Sequence, residues 1–253
     1  MTQDLFSLEG RRALVTGAAK GIGAQLAAGL AAAGADMVLW GRSAQSLTAT
    51  AEQCRTFGRD VTTVVCDLAD HGQVKQRAHE MASEVEVDIL VNNAGTISRG
   101  PAVDVDFDEW RHVLALNLDI PFLLCQQFGR AMVDRRGGSI INVASLLSFQ
   151  GGVLVPAYTA SKHALAGLTK ALANEWAPAG VTVNAVAPGY IETDNTAALR
   201  ADQARDRSIR ERIPAGRWGT PSDVVGAVVF LAGPAARYVN GHVLVVDGGW
   251  MGR

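Results

Sequence analysis

The 253-residue sequence has few cysteines, no basic block and no cluster of metal-ligating residues. Its three cysteines, Cys54, Cys66 and Cys125, are odd in number and widely spaced. We therefore expect buried thiols in a reducing compartment and no disulfide framework. The net charge of −2 lacks the electrostatic footprint of a nucleic-acid-binding protein. His and Cys residues nowhere have metal-site spacing, so no metal is expected.

Long apolar runs are also missing from the sequence. The longest charge-free apolar stretch, about residues 224–236, is shorter than the roughly 18 residues that a membrane helix needs. Asp4 and Glu9 lie near the N-terminus, and no basic region precedes an apolar run, so we predict no signal peptide. We expect a cytoplasmic protein with a small-molecule substrate and no membrane or nucleic-acid partner.

Glycine, by contrast, is in excess. The chain has 27 glycines in 253 residues, about 11%, where roughly 7% is usual. They show no three-residue period, which excludes a collagen-like chain. The hydrophobic content of 48% excludes intrinsic disorder. Such glycines usually mark positions where the backbone turns tightly or approaches something closely.

Short apolar runs alternate with longer helical patterns along the whole chain, as in parallel βαβ units. Strands are predicted at 13–16, 37–40, 62–66, 89–92, 139–144, 181–186 and 243–246, and helices near 22–33, 45–57, 71–85, 108–135, 158–177 and 222–232. We predict one doubly wound, Rossmann-type α/β domain over residues 1–253, with a seven-stranded parallel sheet and helices on both faces. Segment 190–217 interrupts this rhythm and is expected to be either a lid or a disordered loop.

The first strand runs into TGAAKGIG at residues 16–23. A glycine-rich turn between a strand and a helix lets backbone amides face a pyrophosphate. Gly17 would make the turn, Gly21 the close approach, and Gly23 the contact between helix and strand. The alternative is an ordinary tight turn. The strand-turn-helix context favours dinucleotide binding.

The end of the second strand predicts which dinucleotide is bound. A carboxylate is expected there to hold a free ribose 2′-hydroxyl, but the sequence reads Gly41-Arg42. Asp36 opens the strand and so lies at the wrong end. Lys20 and Arg42 could instead hold a 2′-phosphate, which favours NADP(H), with NAD(H) as the alternative. Arg42 could also be a solvated residue at a helix start.

Residues 144–168 carry the candidate chemistry. Tyr158 and Lys162 are four residues apart on a predicted helix and so share one face. Ser145 ends the fifth strand, at the sheet edge where ligands bind. We expect the Lys162 ammonium to lower the pKa of Tyr158 so that the phenol exchanges a proton with a substrate oxygen, while Ser145 hydrogen-bonds that oxygen. The alternative is an amphipathic helix face and a capping serine.

These motifs together resemble the short-chain dehydrogenase/reductase family over the whole chain. The resemblance implies that Asn117, in LNLDI, is a fourth catalytic residue, holding a water that links the lysine to solvent. It places Asp67 beside the adenine, NNAG (92–95) on the ribose side, and the Pro188-Gly189 to Thr193 segment on the carboxamide. The candidate cofactor-binding residues are Gly17, Ala19, Lys20, Gly21, Ile22, Gly23, Gly41, Arg42, Asp67, Leu68, Asn93, Ala94, Gly95, Tyr158, Lys162, Pro188, Gly189, Ile191 and Thr193.

A narrower resemblance is to the sugar-acid dehydrogenases of this family, whose members often use NAD. It rests on SFQGG (148–152), VPAYTASKHALAGLT (155–169), NEWA (174–177), APGYIETDNTAALRAD (187–202) and ERIPAGRWGTP (211–221). It implies interconversion of an alcohol and a ketone on a small sugar acid. A reductase of 3-oxoacyl thioesters or other small ketones, and a non-catalytic NADP(H)-binding protein, are the alternatives. The candidate substrate residues are Ser145, Leu147, Gln150, Tyr158, Asn195, Arg217 and Trp218.

An arginine and Trp218 have specific expected roles in binding the substrate, and the C-terminal tail has one in subunit assembly. An arginine would suit a carboxylate, and Trp218 would offer a stacking face, although the arginines of 200–212 could simply be the solvated face of a lid helix. Trp250 and Met251 near the chain end suggest burial against a neighbouring subunit in a homotetramer. The chain itself could also cover them.

Overall fold

The structure, a computed structural model, describes residues 5–253. Asp4, one of the two acidic residues behind the prediction of no signal peptide, lies outside the described residues. Within residues 5–253 no helix is both long enough and apolar enough to cross a membrane.

Seven parallel strands form one sheet in the order β3-β2-β1-β4-β5-β6-β7. Their bounds are β1 Arg12–Thr16, β2 Asp36–Gly41, β3 Val61–Val65, β4 Ile89–Asn92, β5 Gly138–Val143, β6 Val181–Pro188 and β7 Val243–Val246. The predicted fold class is confirmed, and each predicted strand is found within two residues of its expected ends.

The helices in the described residues are α1 Gly21–Ala32, α2 Ala44–Arg55, α3 His71–Glu84, α4 Phe107–Leu114, α5 Ile120–Asp134, α6 Pro156–Trp176, α7 Ala197–Ala201, α8 Gln203–Arg212 and α9 Val225–Ala232. The predicted single helix 108–135 is divided by a π-helical turn, Ala115–Asp119. Segment 190–217 contains α7 and α8, so the disordered-loop alternative is wrong.

Alternate residues of the strands enter two different apolar layers, because successive side chains of a strand point to opposite faces. Val15 and Leu39 belong to one layer, together with residues of α1, α2 and α9. Leu14 and Val38 belong to the other, with residues of α3, α5 and α6. Burial on both faces explains why these strands read as continuous apolar runs.

All three cysteines are free and buried in these layers, as predicted. Burial raises the pKa of the Cys54 thiol to about 11 and that of the Cys125 thiol to about 12. Burial also raises the pKa of Cys66. The thiols therefore behave as small apolar groups.

The sheet order sets where a ligand can bind. From β1 the chain builds outward to β2 and β3, and from β4 it builds the other way to β7. The connections leaving β1 and β4 diverge, and a crevice opens between the carboxyl ends of these two strands. The glycine-rich turn follows β1 and the NNAG motif follows β4, so the fold brings both motifs to this crevice.

Candidate active site

The ends of β1 and β4 are locked together by hydrogen bonds around Thr16. Its hydroxyl accepts from the backbone N–H groups of Asn93 and Ala94, each at 3.0 Å. The Asn93 side-chain amide donates back to the Thr16 carbonyl at 2.9 Å. The floor of the crevice is therefore rigid before any ligand arrives.

The glycine-rich turn fits a pyrophosphate. A Cβ atom on Gly23 would lie 2.2 Å from the Gly17 carbonyl oxygen, so only glycine lets α1 start this close to the strand end. Lys20, the N-cap residue of α1, makes no side-chain cap, and the first turn has no acidic residue. The N–H donors of that turn are thus available to an anion.

The residues expected to select the dinucleotide lie as the sequence predicts, with one addition. Arg42 is exposed just beyond β2, whereas Asp36 pairs with Arg12 at the opposite end of the sheet. Lys20 forms an ion pair with Asp194, on the far side of the crevice. A cation suited to a 2′-phosphate is therefore already held by a carboxylate of segment 190–217.

The other predicted cofactor residues line the carboxyl edge of the sheet. The Asp67 carboxylate accepts from the Ala69 N–H at 3.0 Å, and Leu68 is buried beside it. At the end of β6, Gly189 lies against the Asp247 backbone, where a Cβ would come within 2.7 Å of the Asp247 Cα. Thr193 caps a 3-10 turn reciprocally with Thr196.

The candidate catalytic side chains are brought together at the start of α6. Lys162 lies one helical turn after Tyr158, with its Nζ 5.6 Å from the centre of the phenol ring. Ser145 follows β5 and begins a 3-10 turn, where its hydroxyl accepts from the Leu147 N–H at 3.2 Å and lies near enough to Tyr158 to lower the pKa of that phenol. This arrangement can hold a substrate oxygen between a serine and a tyrosine.

The expected direction of the Tyr158 pKa is wrong. Burial raises the pKa of this phenol, and the hydrogen bond with Ser145 and the charge of Arg99 offset that rise only partly. Lys162 is itself buried, its Nζ donates to the Val143 carbonyl at 2.7 Å, and burial lowers its pKa to about 8. A low-dielectric site disfavours both the phenolate and the ammonium, so the Tyr158 phenol is protonated at neutral pH.

Asn117 lies in the π-helical turn and is fully buried. Pro121 lacks the N–H that would reach the Asn117 carbonyl in an α-helix, which accounts for the irregular turn there. The Asn117 amide bonds both backbone groups of Thr96 and donates to the Ser161 hydroxyl at 3.1 Å. Ser161 in turn donates to the Tyr158 carbonyl at 2.8 Å. Asn117 thus holds the catalytic helix against the loop after β4.

Sequence reasoning missed Arg99. Its positive charge acts on Tyr158 and lowers the pKa of the phenol. Its guanidinium donates to the Asn195 carbonyl at 2.9 Å, and the neighbouring Gly100 N–H donates to the Leu154 carbonyl at 2.9 Å. The loop after β4 therefore meets both segment 190–217 and the loop before α6. Only its position after the NNAG motif could have indicated this.

The structure corrects two of the predicted substrate residues. Trp218 is only 1% exposed, packs edge-on against Tyr190 and donates through its indole N–H to Asp206 at 2.7 Å, so it offers no stacking face. Arg217 makes a two-pronged ion pair with Asp223. It lines a cavity of about 200 Å³ that none of the catalytic candidates lines.

The remaining substrate candidates lie on loops around Tyr158. Leu147 is half-buried, immediately after Ser145. Gln150 accepts a hydrogen bond from the Trp250 indole at 3.1 Å. Asn195 is exposed and bonds Arg99 through its backbone. Trp250 is buried by its own chain, so the intramolecular alternative for this tail residue is the one found.

Comparison with known proteins matches residues 17–251 to a family described as Enoyl-(Acyl carrier protein) reductase. The chain is 53% identical to a 2-dehydro-3-deoxy-D-gluconate 5-dehydrogenase of Bacillus subtilis, over 99% of this chain and 98% of the relative. A Beutenbergia cavernae structure with bound NADP at low occupancy is 53% identical, with a TM-score of 0.96 over 98% of this chain and 100% of that one. A gluconate 5-dehydrogenase from Burkholderia cenocepacia, in complex with NADP and tartrate, is 40% identical, with a TM-score of 0.95 over the full length of both chains.

The burial of Lys162 predicts that Lys162→Met stabilises the protein at neutral pH. In the wild type, folding places the Lys162 ammonium in a site that lowers its pKa from 10.5 to about 8, which costs about 3 kcal/mol of stability. The substitution removes this cost, but it also removes the hydrogen bond to Val143, which contributes roughly 1 kcal/mol. The melting temperature at pH 7 should rise by roughly 5 °C. Between pH 8 and 10.5 the Lys162 side chain is protonated in the unfolded chain but not in the folded one. The wild type therefore gains stability as the pH rises over that range, and the difference in melting temperature between the two proteins shrinks.

Thermal melts of both proteins at pH 7 and pH 9.5 check this. Lys170→Met, on the exposed side of the same helix, is the control and should show no such pH-dependent gain. An Lys162→Met protein that melts below the wild type at pH 7 would contradict the argument.

Proposed function

Because this chain belongs to the short-chain dehydrogenase/reductase family, we propose that it interconverts a secondary alcohol and a ketone on a small sugar acid, using NADP(H). The activity of the Bacillus subtilis relative, 2-dehydro-3-deoxy-D-gluconate 5-dehydrogenase, is the specific proposal. The observation that carries it is the grouping of Ser145, Tyr158 and Lys162 beside a turn shaped for a pyrophosphate.

A dinucleotide held at the turn of Gly17, Gly21 and Gly23 would supply the hydride for ketone reduction and would accept it in alcohol oxidation. Tyr158 then exchanges a proton with the substrate oxygen through its Oη. Ser145 donates a hydrogen bond to the same oxygen and stabilises the charge that develops on it. Lys162 holds a positive charge near the phenol, which the oxidised nicotinamide would reinforce.

Because burial raises the pKa of Tyr158, ketone reduction and alcohol oxidation should depend on pH in opposite ways. A raised pKa keeps Tyr158 protonated at neutral pH, which is the form that donates a proton to a ketone. Alcohol oxidation needs the phenolate, so its rate should increase with pH.

Arg99 supports an acidic substrate. It is the cation that acts on Tyr158, and it lies exposed at the mouth of the crevice. A guanidinium matches the geometry of a carboxylate. The relative crystallised with tartrate, a small hydroxy acid, fits this assignment. We propose that Arg99 holds the carboxylate while Tyr158 and Ser145 hold the reacting oxygen.

Spectrophotometric assays with NADP(H) on a panel of sugar acids, neutral sugars and an acetoacetyl thioester test the substrate class. The wild type should turn over sugar acids, with 2-dehydro-3-deoxy-D-gluconate among the best. Arg99→Gln should raise the KM for acids by about tenfold and change the KM for a neutral ketone little. Arg237→Gln, exposed beyond the opposite edge of the sheet, is the matched control.

Tyr158→Phe in the same assay is the control for chemistry, and its rate should fall by at least about a hundredfold. Undiminished turnover by this variant would overturn the mechanism. Preference for the thioester would favour the alternative reductase activity, and a wild type that binds NADPH without turning over any compound would favour a non-catalytic role.

NADP(H) is favoured over NAD(H) because no carboxylate follows β2 and because Lys20 and Arg42 can hold a 2′-phosphate. Asp194 competes with that phosphate for Lys20. We propose that segment 190–217 is a lid, fastened by this ion pair and by the contact between Arg99 and Asn195.

Asp194→Asn should therefore lower the KM for NADPH by about twofold to fivefold, the range of an exposed ion pair, and leave the KM for NADH unchanged. Steady-state kinetics with both cofactors check this. A wild type with a tenfold preference for NADH would reject the assignment.

We also propose a single-domain subunit that assembles as a cytoplasmic homotetramer. The free cysteines support a reducing compartment. Large apolar side chains lie exposed before and along α4, where Val103 is 92% and Phe107 67% exposed, and a partner would cover them. Light scattering should give four times the mass of one chain, and a monomeric mass would reject the assembly.

A further inference from the structure

The loop between Ser145 and Tyr158 carries Gln150, five residues after Ser145 and eight before Tyr158. Its backbone N–H donates to the Leu146 carbonyl at 3.1 Å, which ties it to the turn that Ser145 begins. Two residues later, the Gly152 N–H donates to the Thr159 hydroxyl at 3.3 Å, next to Tyr158. Both ends of this short loop are thus attached to neighbours of the catalytic residues.

Trp250 reaches this loop from the other end of the chain. Its indole Nε1 donates to the Gln150 Oε1 at 3.1 Å. The indole is held in place from two sides: the Tyr190 ring lies 4.6 Å from it, and the Arg212 guanidinium lies 3.9 Å over its face. Stacking and cation–π contacts leave the indole little freedom to turn away.

The tail that delivers Trp250 is itself a built turn. The Asp247 carboxylate accepts from the Gly249 N–H and the Met251 N–H, each at 2.8 Å. Gly249 has a φ of +92°, a conformation that favours glycine, and a Cβ there would lie 3.0 Å from Pro214. The hydrogen bonds of Asp247 and the conformation of Gly249 therefore fix where the Trp250 indole lies.

This contact decides which group Gln150 presents. An indole N–H is only a donor, so it must meet the carbonyl oxygen of a side-chain amide. Gln150 is then oriented with its NH₂ group away from Trp250, and within residues 5–253 that group makes no hydrogen bond. Without the indole, the amide could turn over and offer an acceptor instead.

We propose that Trp250 is a positioning residue that fixes Gln150 as a hydrogen-bond donor toward an oxygen of the acid substrate. The inference rests on the proposed sugar-acid function. It assigns to the C-terminal tail a part in choosing substrates that are rich in acceptor oxygens, because a flipped amide would face such a substrate with its own lone pairs.

Trp250→Phe tests the proposal because it keeps an aromatic ring and removes the N–H. The KM for 2-dehydro-3-deoxy-D-gluconate should rise about threefold to tenfold, the effect of one hydrogen bond. The kcat and the KM for NADP(H) should stay within about twofold of the wild type. Trp176→Phe is the matched control, since its indole donates to Glu175, away from the crevice, and should leave all three constants unchanged.

A double-mutant cycle with Gln150→Met separates positioning from packing. If Trp250 acts through Gln150, Trp250→Phe has no further effect on KM once the amide is gone. An unchanged KM, an equal effect in the Gln150→Met background, or a joint loss of kcat and cofactor binding would each overturn the inference. If Trp250→Phe fails to fold, Gln150→Glu keeps the acceptor and removes the donor, and it should raise the same KM. Absence of sugar-acid turnover by the wild type would instead reject the proposed function.

Discussion

The hydrogen bonds of the Thr16 hydroxyl hold the molecule's ligand crevice in shape. They join the carboxyl ends of β1 and β4, the neighbouring strands from which the chain adds further strands in opposite directions across the sheet. The chain then continues from Asn93 to Thr96, whose backbone is clamped by the Asn117 amide. Asn117 bonds Ser161, and Ser161 bonds the Tyr158 carbonyl. An unbroken series of bonds therefore joins the glycine-rich turn to Tyr158, so that the two parts of the proposed site have a defined separation.

In the site around Lys162, the environment that suits the proposed reaction also lowers the stability of the folded chain. In the proposed mechanism, Lys162 and Tyr158 need a water-poor environment to act on a substrate oxygen. That environment raises the pKa of Tyr158 and lowers the pKa of Lys162. The fold tolerates the buried lysine because the Val143 carbonyl accepts a hydrogen bond from its Nζ. A residue that destabilises the folded chain is kept at this point for its charge.

Much of the fold could be predicted from local sequence. Strands buried on both faces read as apolar runs, and the glycine-rich turn marks the crevice because its conformational and steric needs are local. The π-helical turn at Asn117 depends on Pro121 and on a contact with Thr96, 21 residues away. Arg99 and Trp218 take their roles from partners that are distant in the chain, so no local pattern indicated them. Trp250 and Gln150 are 100 residues apart.

This division between local and distant contacts also explains what the family match can decide. The reaction proposed for the turn at 16–23 and the side chains on α6 requires a dinucleotide and an alcohol or carbonyl, whatever the rest of the substrate is. The groups proposed to recognise the acid instead come from separate loops, which meet through contacts such as Arg99 with Asn195 and Gln150 with Trp250. Loops of this kind can change without disturbing the sheet. Membership in the family therefore fixes the chemistry, and the substrate has to be argued from the loops.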